Sequence, residues 1–205
     1  MRIDSVDFAG AVAGLGQAQP ETIAGLSQVA FCGRSNVGKS SLINRLLGRT
    51  RTPIARVSQS PGKTQEINFY RVAADSGEFC LVDLPGYGFA KVPESVRSRW
   101  RPLIRSFLTG SEQLRGVIQL IDMRHGPTRD DLDSVEQLAD LGIPVLFALT
   151  KADKLKSGDK RDAAFRDIVA TLQVEPEQVI PCSAHNGAGI ESLLDALGGI
   201  LQSDV

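Results

Sequence analysis

The residues best suited to chemistry lie in one stretch, Gly33 to Ser40, which reads Gly-Arg-Ser-Asn-Val-Gly-Lys-Ser. This spacing satisfies the phosphate-loop pattern, and it follows a β-rich run and opens a helical one. Glycines allow the tight turn that aims successive backbone N–H groups at phosphate oxygens, and the following helix dipole adds to that field. Lys39 would reach the β and γ phosphates, and the Ser40 hydroxyl would bind magnesium. A glycine turn that binds nothing is the alternative, and the strand-to-helix setting argues against it.

A second polar string, Thr150-Lys151-Ala152-Asp153, comes directly after the apolar run Leu146 to Leu149. The Asp153 carboxylate can accept two hydrogen bonds from the N1–H and exocyclic amino group of guanine, a donor pair that adenine does not present. Lys151 would cover the base, and Ser183-Ala184 would offer a backbone N–H to the guanine oxygen. Taken alone, the string could be a polar loop. Its place downstream of the phosphate loop, with Cys182-Ser183-Ala184 one strand later, favours the guanine site.

Two further elements are predicted to contact the γ-phosphate. Asp83-Leu84-Pro85-Gly86 ends an apolar strand, which places Asp83 to hold magnesium through water and the Gly86 N–H near the terminal phosphate. Thr64 lies in Pro61-Gly62-Lys63-Thr64-Gln65, just before a strand, and is the natural second hydroxyl ligand of magnesium; a plain loop residue is the alternative. A loop that is ordered by a phosphate contact and released when the phosphate leaves makes a two-state switch.

The residue after Gly86 bears on the rate of hydrolysis. Many small GTPases place a glutamine there to orient the attacking water, whereas this chain has Tyr87. A phenol cannot hold water as an amide does, so slow intrinsic hydrolysis is expected. Asn36 could assist through an amide oxygen that coordinates a potassium ion beside the phosphates.

Short β-rich runs alternate with stretches of helical periodicity, which predicts an α/β domain with a mostly parallel sheet. The Asp-Ser-Gly at 75–77 favours a hairpin between the second and third strands, so that one strand is antiparallel and lies at an edge. Residues 1–25 resemble a loosely ordered arm, and 49–63 a mobile loop. The expected strands are 28–32, 66–73, 79–83, 117–122, 145–150 and 178–182, and the expected helices are 39–47, 94–108, 129–141, 160–172 and 190–201.

Length and composition point to one compact domain, with 205 residues of which 42% are hydrophobic. No run approaches the roughly 18 apolar residues of a membrane span, and the start lacks a secretion signal, so a cytoplasmic protein with no membrane partner is expected. The three cysteines lack zinc spacing and are interpreted as small buried hydrophobes: Cys32, Cys80 and Cys182.

Charge is unevenly distributed along the chain, although the net charge is only −1. Residues 34–71 have eight Lys or Arg against one acid, and residues 91–105 have five against one. From residue 122 to the end, fifteen acids face eight bases. This pattern favours a basic face for an anionic partner such as nucleic acid, with a solvated surface as the alternative.

Together these motifs resemble the EngB family, also called YihA or YsxC, of TRAFAC-class P-loop GTPases. The resemblance rests on Gly33–Asn44, Pro61–Gln65, Asp83–Gly88 and Ile121–His125, and it covers roughly residues 25–200. It implies a three-layer, Ras-like fold with a six-stranded sheet, and a single GTPase domain over 26–205. It also implies bound magnesium and GTP or GDP, held by Gly33, Arg34, Ser35, Asn36, Val37, Gly38, Lys39, Ser40, Ser41, Gly62, Lys63, Thr64, Gln65, Glu66, Asp83, Leu84, Pro85, Gly86, Thr150, Lys151, Ala152, Asp153, Cys182, Ser183 and Ala184.

The resemblance further implies a GTP-hydrolysing switch that assists assembly of the bacterial large (50S) ribosomal subunit, with a role in normal cell-division septation. Residues 34–71 and 91–105 would then contact rRNA, and a monomer is expected. A nucleotide-gated RNA- or protein-binding module with negligible intrinsic hydrolysis is the alternative. An ATP-dependent small-molecule kinase is a third interpretation, and the string Thr150–Asp153 argues against it.

Overall fold

Seven strands form one sheet in the described part of the chain, in the order β1-β3-β4-β2-β5-β6-β7. The computed structural model describes residues 1–55, 66–87 and 94–202, and only the backbone over 94–100. The strands are β1 (Ile3–Val12), β2 (Gln28–Gly33), β3 (Ile67–Ala74), β4 (Gly77–Asp83), β5 (Leu114–Asp122), β6 (Val145–Thr150) and β7 (Val179–Pro181). The α-helices are α1 (Lys39–Leu46), α2 (Glu94–Gly110), α3 (Arg129–Asp140), α4 (Gly158–Leu172) and α5 (Ile190–Gln202).

The central strand β2 shows why the fold has three layers. All six of its residues are buried, and successive side chains point to opposite faces of the sheet. Val29 and Phe31 pack in the core that includes α1 and α5, whereas Ala30 and Cys32 pack in the core that includes α2 and α3. Helix α4 covers the same side as α3, further along the sheet.

The predicted mostly parallel sheet and five α-helices are confirmed. Strands β2, β4, β5, β6 and β7 pair in parallel, and the hairpin of β3 and β4 closes at Ala74 and Gly77. All three cysteines are buried as predicted. Burial raises the pKa of Cys32 to about 11 and the pKa values of Cys80 and Cys182 to about 12, so they remain neutral thiols.

The expectation of a loose arm over residues 1–25 is wrong, because residues 3–12 form strand β1. This strand pairs antiparallel with β3, with Val6 opposite Val72 and Phe8 opposite Tyr70. Val6 and Val12 are buried, and the short 3-10 turn at 21–23 buries Ile23 as well. The sheet therefore has seven strands rather than six. Strand β1 lies at the antiparallel edge, and β3 is one strand further in.

The first part of the expected loop, residues 49–55, is held to the core by Asn44. The Asn44 side chain is buried, accepts hydrogen bonds from Ile54 N and Ala55 N at 2.9 Å each, and donates one to Ala55 O at 2.8 Å. Ala55 is itself fully buried. The rest of the expected loop, residues 56–63, lies outside the described residues. Among the described helices, none is both long enough and apolar enough to cross a membrane.

Candidate nucleotide-binding site

The phosphate loop connects the end of β2 to the start of α1, as its pattern predicts. Asn36 and Gly38 adopt the left-handed conformation, with φ of 62° and 106°. A Cβ on Gly33 would lie 3.0 Å from Leu120 Cβ and 3.1 Å from the Leu120 carbonyl oxygen, so the close approach to β5 requires glycine. Val37 is buried and fixes the middle of the loop against the core.

A buried ion pair lies at the start of α1. The Lys39 ammonium donates to the Asp83 carboxylate, and the two side chains are only 10% and 4% exposed. Asp83 reaches this position because β4 pairs in parallel with β2, with Asp83 opposite Phe31. The predicted phosphate-binding cation and the predicted metal-associated carboxylate are therefore in direct contact.

The chain after β4 packs on the phosphate loop. Ser35 N donates to Tyr87 O at 2.9 Å, and Tyr87 N donates to Gly33 O at 3.3 Å. A Cβ on Gly86 would lie 2.9 Å from Ser35 Oγ, so a larger residue at this position would displace the Ser35 side chain. Leu84 and Pro85, which precede Gly86, are buried.

Two side chains tie the second polar string to the phosphate loop. Thr150 Oγ1 donates to Val37 O at 2.6 Å, and Lys151 Nζ donates to Asn36 O at 2.7 Å. Both bonds reach backbone carbonyls, so they hold the shape of the loop without using its N–H groups. The predicted base-binding and phosphate-binding motifs are thereby joined into one site.

Asp153 is oriented by the segment that follows β7. Ser183 Oγ donates to Asp153 Oδ1 at 2.7 Å, and the fully buried Ser183 hydroxyl accepts from the backbone N–H groups of His185 and Asn186 at 3.2 Å. The Ser183 hydrogen bond, together with Lys154, lowers the pKa of Asp153. Asp153 is therefore a carboxylate, an acceptor, at neutral pH.

A cavity of 390 Å³ lies between these segments. Six of its lining residues were predicted, and three were not. The predicted ones are Gly38, Ser41, Thr150, Lys151, Asp153 and Ala184; the others are Leu42, Lys154 and His185. Leu42 lies two residues after Ser40 in α1, Lys154 follows Asp153 and His185 follows Ala184, so adjacency to a motif was the available signal for all three.

Asp122 is a further functional residue that the sequence did not assign. It accepts hydrogen bonds from Arg124 Nε at 2.9 Å and Arg124 Nη2 at 2.7 Å, and lies 2.9 Å from Lys151 Nζ. Burial alone would raise the pKa of Asp122, but the hydrogen bonds from Arg124 and Lys151 outweigh it and lower the pKa to about 2. Asp122 thus holds the ammonium that is predicted to cover the base.

The Tyr87 hydroxyl is engaged inside the protein. It donates to Asp131 Oδ1 at 2.7 Å and accepts from Gln119 Nε2. Burial, together with the negative charge nearby, raises the pKa of Tyr87, so the phenol stays protonated. A side chain held in this way is not directed at a water beside the phosphates.

Some predicted residues fall outside the described part of the chain. These are Gly62, Lys63, Thr64 and Gln65; Glu66, next to them, is exposed and precedes β3. The basic residues of the two segments that are described and exposed are Arg34, Arg51, Arg71, Arg101 and Arg105.

The donor set beside the phosphate loop fits magnesium. Ser40 supplies a hydroxyl in the first turn of α1, and Asp83 supplies a buried carboxylate. Within the described residues no group of three or more His, Cys, Asp or Glu is arranged so that it could hold a metal ion by itself. A hard cation here would complete its shell from phosphate oxygens and water, which is the way magnesium binds in nucleotide sites.

Comparison with known proteins agrees with this geometry. The family model "50S ribosome-binding GTPase" matches residues 28–151, and the model "Elongation factor Tu GTP binding domain" matches residues 103–203. The chain is 44% identical over 201 residues to the probable GTP-binding protein EngB of Gemmatimonas aurantiaca, covering 98% of this chain and 95% of that one.

Solved structures share the fold. A crystal structure of a probable GTP-binding protein engB superposes with a TM-score of 0.68 at 25% identity, covering 86% of this chain and 99% of that one. Era, crystallised with MgGDPNP and nucleotides 1506–1542 of 16S ribosomal RNA, superposes with a TM-score of 0.72 at 23% identity, covering 87% of this chain and 58% of that one.

Proposed function

This chain belongs to the EngB family of GTP-binding proteins and is a GTP-hydrolysing enzyme, and from that premise we propose that it is a nucleotide switch for assembly of the 50S ribosomal subunit. In this proposal the guanine lies in the 390 Å³ cavity and the triphosphate extends along the loop from Gly33 to Ser41. The observation that carries the assignment is the Asp153 carboxylate, held by Ser183 at the wall of that cavity.

The groups around the phosphate loop would each act on the triphosphate. Lys39 would neutralise charge on the β and γ phosphates, and the Gly86 N–H would meet the γ-phosphate. Ser40, Thr64 and, through water, Asp83 would hold magnesium, which neutralises the charge that develops as water attacks the γ-phosphoryl group.

Intrinsic hydrolysis is proposed to be slow, because the Tyr87 hydroxyl is already bonded to Asp131 and Gln119. Asn36 is proposed to assist by coordinating potassium; its side chain is exposed beside the loop. Turnover that is equal in potassium and sodium at the same ionic strength would remove that role.

Asp153→Asn tests the base assignment. The change reverses one donor and acceptor pair. Affinity for GDP should fall by about tenfold to a hundredfold, the size expected for losing a hydrogen bond to a charged group. Affinity for xanthosine diphosphate should rise. Calorimetric titration of both nucleotides measures this. Asp159→Asn, at an exposed carboxylate in the first turn of α4, is the matched control and should leave both affinities unchanged. Equal GDP affinity in Asp153→Asn and wild type would refute the site.

The ribosomal partner is proposed from the family and from the charge of this chain. The matching family model is that of a 50S ribosome-binding GTPase, and the structurally similar Era was crystallised with a fragment of 16S rRNA. Arg101 and Arg105 lie four residues apart on α2 and are exposed, so they share one face of a helix that follows the predicted γ-phosphate contact. Residues 34–71 are proposed to supply further basic contacts to the rRNA.

Co-sedimentation with 50S particles tests this proposal. Binding should be stronger with a non-hydrolysable GTP analogue than with GDP and should weaken as salt rises, because phosphate contacts release counterions. Arg101→Gln with Arg105→Gln should weaken binding at every salt concentration. Arg161→Gln with Arg166→Gln, exposed on α4, removes the same charge elsewhere and should not. Sedimentation that is independent of nucleotide would contradict a switch.

The remaining parts of the proposal rest on the family resemblance and on composition. They are a role in cell-division septation, a cytoplasmic location and a monomeric state. Depletion of the protein, with ribosomal sedimentation profiles and septum formation followed in parallel, tests the first of these.

A further inference from the structure

Tyr87 connects the phosphate loop to the start of α3 through both its backbone and its side chain. Its backbone bonds to Ser35 and Gly33, at 2.9 Å and 3.3 Å. Its hydroxyl enters a buried polar cluster between β5 and α3, where it meets Asp131 and Gln119. Both of these side chains are almost completely buried, with 3% and 0% of their surface exposed.

The hydrogen bonds of this cluster specify the position of the phenol. Asp131 Oδ2 is used by the helix itself, because it accepts from Thr128 N at 2.8 Å and from Thr128 Oγ1 at 2.6 Å. Asp131 Oδ1 accepts from Tyr87, whose oxygen also accepts from Gln119. Helix α3 would keep its capping box without Tyr87, so capping alone does not explain why Asp131 also accepts a hydrogen bond from the Tyr87 hydroxyl.

Buried polar groups stabilise one geometry only when they are fully paired. If the Tyr87 hydroxyl shifted, Asp131 Oδ1 and Gln119 Nε2 would each lose a partner away from water, which is costly. The cluster therefore holds residue 87 in one place. Gly86, its covalent neighbour, has no side chain with which to hold itself in place, and a Cβ built on it would lie 2.9 Å from Ser35 Oγ.

We propose that Tyr87 is a positioning residue for GTP hydrolysis, held by Asp131 and Gln119 so that the Gly86 N–H lies ready to bind the γ-phosphate. The inference rests on the proposed contact of Gly86 with that phosphate. A donor that is already in place needs no reorganisation when the triphosphate binds, and so favours GTP over GDP. In this protein the residue that takes the place of a water-orienting glutamine acts instead through its neighbour's backbone.

Tyr87→Phe is the main test, because it removes one oxygen atom and keeps the ring. Affinities for GDP and for a non-hydrolysable GTP analogue are measured with magnesium, together with the single-turnover rate of hydrolysis. The ratio of GTP-analogue affinity to GDP affinity should fall about tenfold, the size expected for one buried hydrogen bond, and the hydrolysis rate should fall with it. GDP affinity should stay within about twofold of wild type, because GDP has no γ-phosphate.

Thr128→Val is the matched control. It removes a hydrogen bond to the same Asp131 carboxylate but leaves the bond from Tyr87, so it should lower the melting temperature without changing the nucleotide ratio. Gln119→Met, which keeps the buried volume and removes the amide donor, should change the ratio in the same direction as Tyr87→Phe. In the double variant Tyr87→Phe with Gln119→Met, the ratio of GTP-analogue affinity to GDP affinity should fall by less than the product of the two single-variant factors. Both substitutions act through one cluster, so their effects are not independent.

The outcomes separate this inference from the function on which it rests. An unchanged ratio in Tyr87→Phe, a ratio that favours the GTP analogue more strongly, or an equal change in Thr128→Val would overturn the positioning role while leaving the GTPase site intact. Wild-type protein that binds neither nucleotide would overturn the proposed site and this inference with it.

Discussion

At the scale of single residues, short polar side chains hold the nucleotide site in shape. Thr150 and Lys151 bind carbonyl oxygens of the phosphate loop, and Ser183 orients Asp153. A hydroxyl on a short side chain loses little rotamer entropy when it is fixed, so these contacts order the loop at low cost. The long Lys151 side chain needs a further support, which Asp122 provides.

Asp122→Asn should destabilise the protein at neutral pH and have no effect in strong acid. A carboxyl with a pKa of about 2 in the folded protein and about 3.9 when unfolded stabilises the fold above the higher value, and that stability is lost as pH falls through the lower one. Because Asp122 is partly exposed, solvent screening reduces this contribution. We expect Asp122→Asn to lower the free energy of unfolding at pH 7 by about 1–2 kcal/mol.

Urea unfolding between pH 7 and pH 2 measures this effect. The difference between wild type and Asp122→Asn should shrink below about pH 4 and be mostly lost by pH 2. Asp140→Asn, at an exposed position at the end of α3, is the control and should track wild type throughout. A constant difference across the range would show that Asp122 stabilises the protein by something other than its charge.

At the scale of elements, strand β1 is the part of the fold that the local sequence does not predict. Its polar residues alternate irregularly, and its pairing with β3 shifts register between Phe8 and Gly10. Gly10 has a φ of 145° and lies against Pro20, where a Cβ would approach the ring to 2.9 Å. A bulge at this glycine turns the strand so that both Val6 and Val12 are buried.

Val6→Ala distinguishes a core strand from a loose arm. Val6 is 3% exposed and belongs to the same core as α1 and α5, so we expect a loss of about 1–3 kcal/mol in the free energy of unfolding. Ser5→Ala, at the exposed neighbouring position, should change it by less than about 0.5 kcal/mol. Chemical denaturation of the two variants checks this, and equal stability of both would mean that β1 contributes nothing to the core.

At the scale of the whole molecule, the site exists because parallel strands end at the same edge of the sheet. Strands β2, β4 and β6 deliver Gly33, Asp83 and Thr150 to that edge, and the segment after β7 delivers Ser183. Charge is distributed at the same scale, with basic segments early in the chain and acidic residues in its last part. Because the site draws residues from several strands, ligand binding should stabilise the whole domain and not one loop.

GDP should raise the stability of the entire fold. At a free concentration a hundred times its dissociation constant, a ligand that binds only the folded protein adds about 2.7 kcal/mol to the free energy of unfolding. Denaturation with and without GDP and magnesium measures the increase. ATP at the same concentration should give none, because adenine lacks the donor pair that Asp153 is proposed to accept. Equal stabilisation by ATP would contradict guanine specificity.

Much of this protein could be derived from sequence, because the governing signals are local. The phosphate loop is set by its glycines, the central strands by continuous apolar runs and the five helices by their periodicity, and the structure confirms these elements within a few residues. The predicted base-binding string Thr150–Asp153 is less local, since its interpretation depended on the phosphate loop upstream and on Cys182–Ala184 one strand later.

Tertiary structure decided the features that depend on partners distant in sequence. Strand β1 is a strand because β3 pairs with it, and Asp122 holds Lys151 because β5 and β6 place Asp122 opposite Thr150. Tyr87 could be identified as an unusual residue from its position, but its role follows from Asp131 and Gln119, which lie 44 and 32 residues away. Hydrogen bonds of this kind carry no periodicity in the chain, so only the packed fold reveals them.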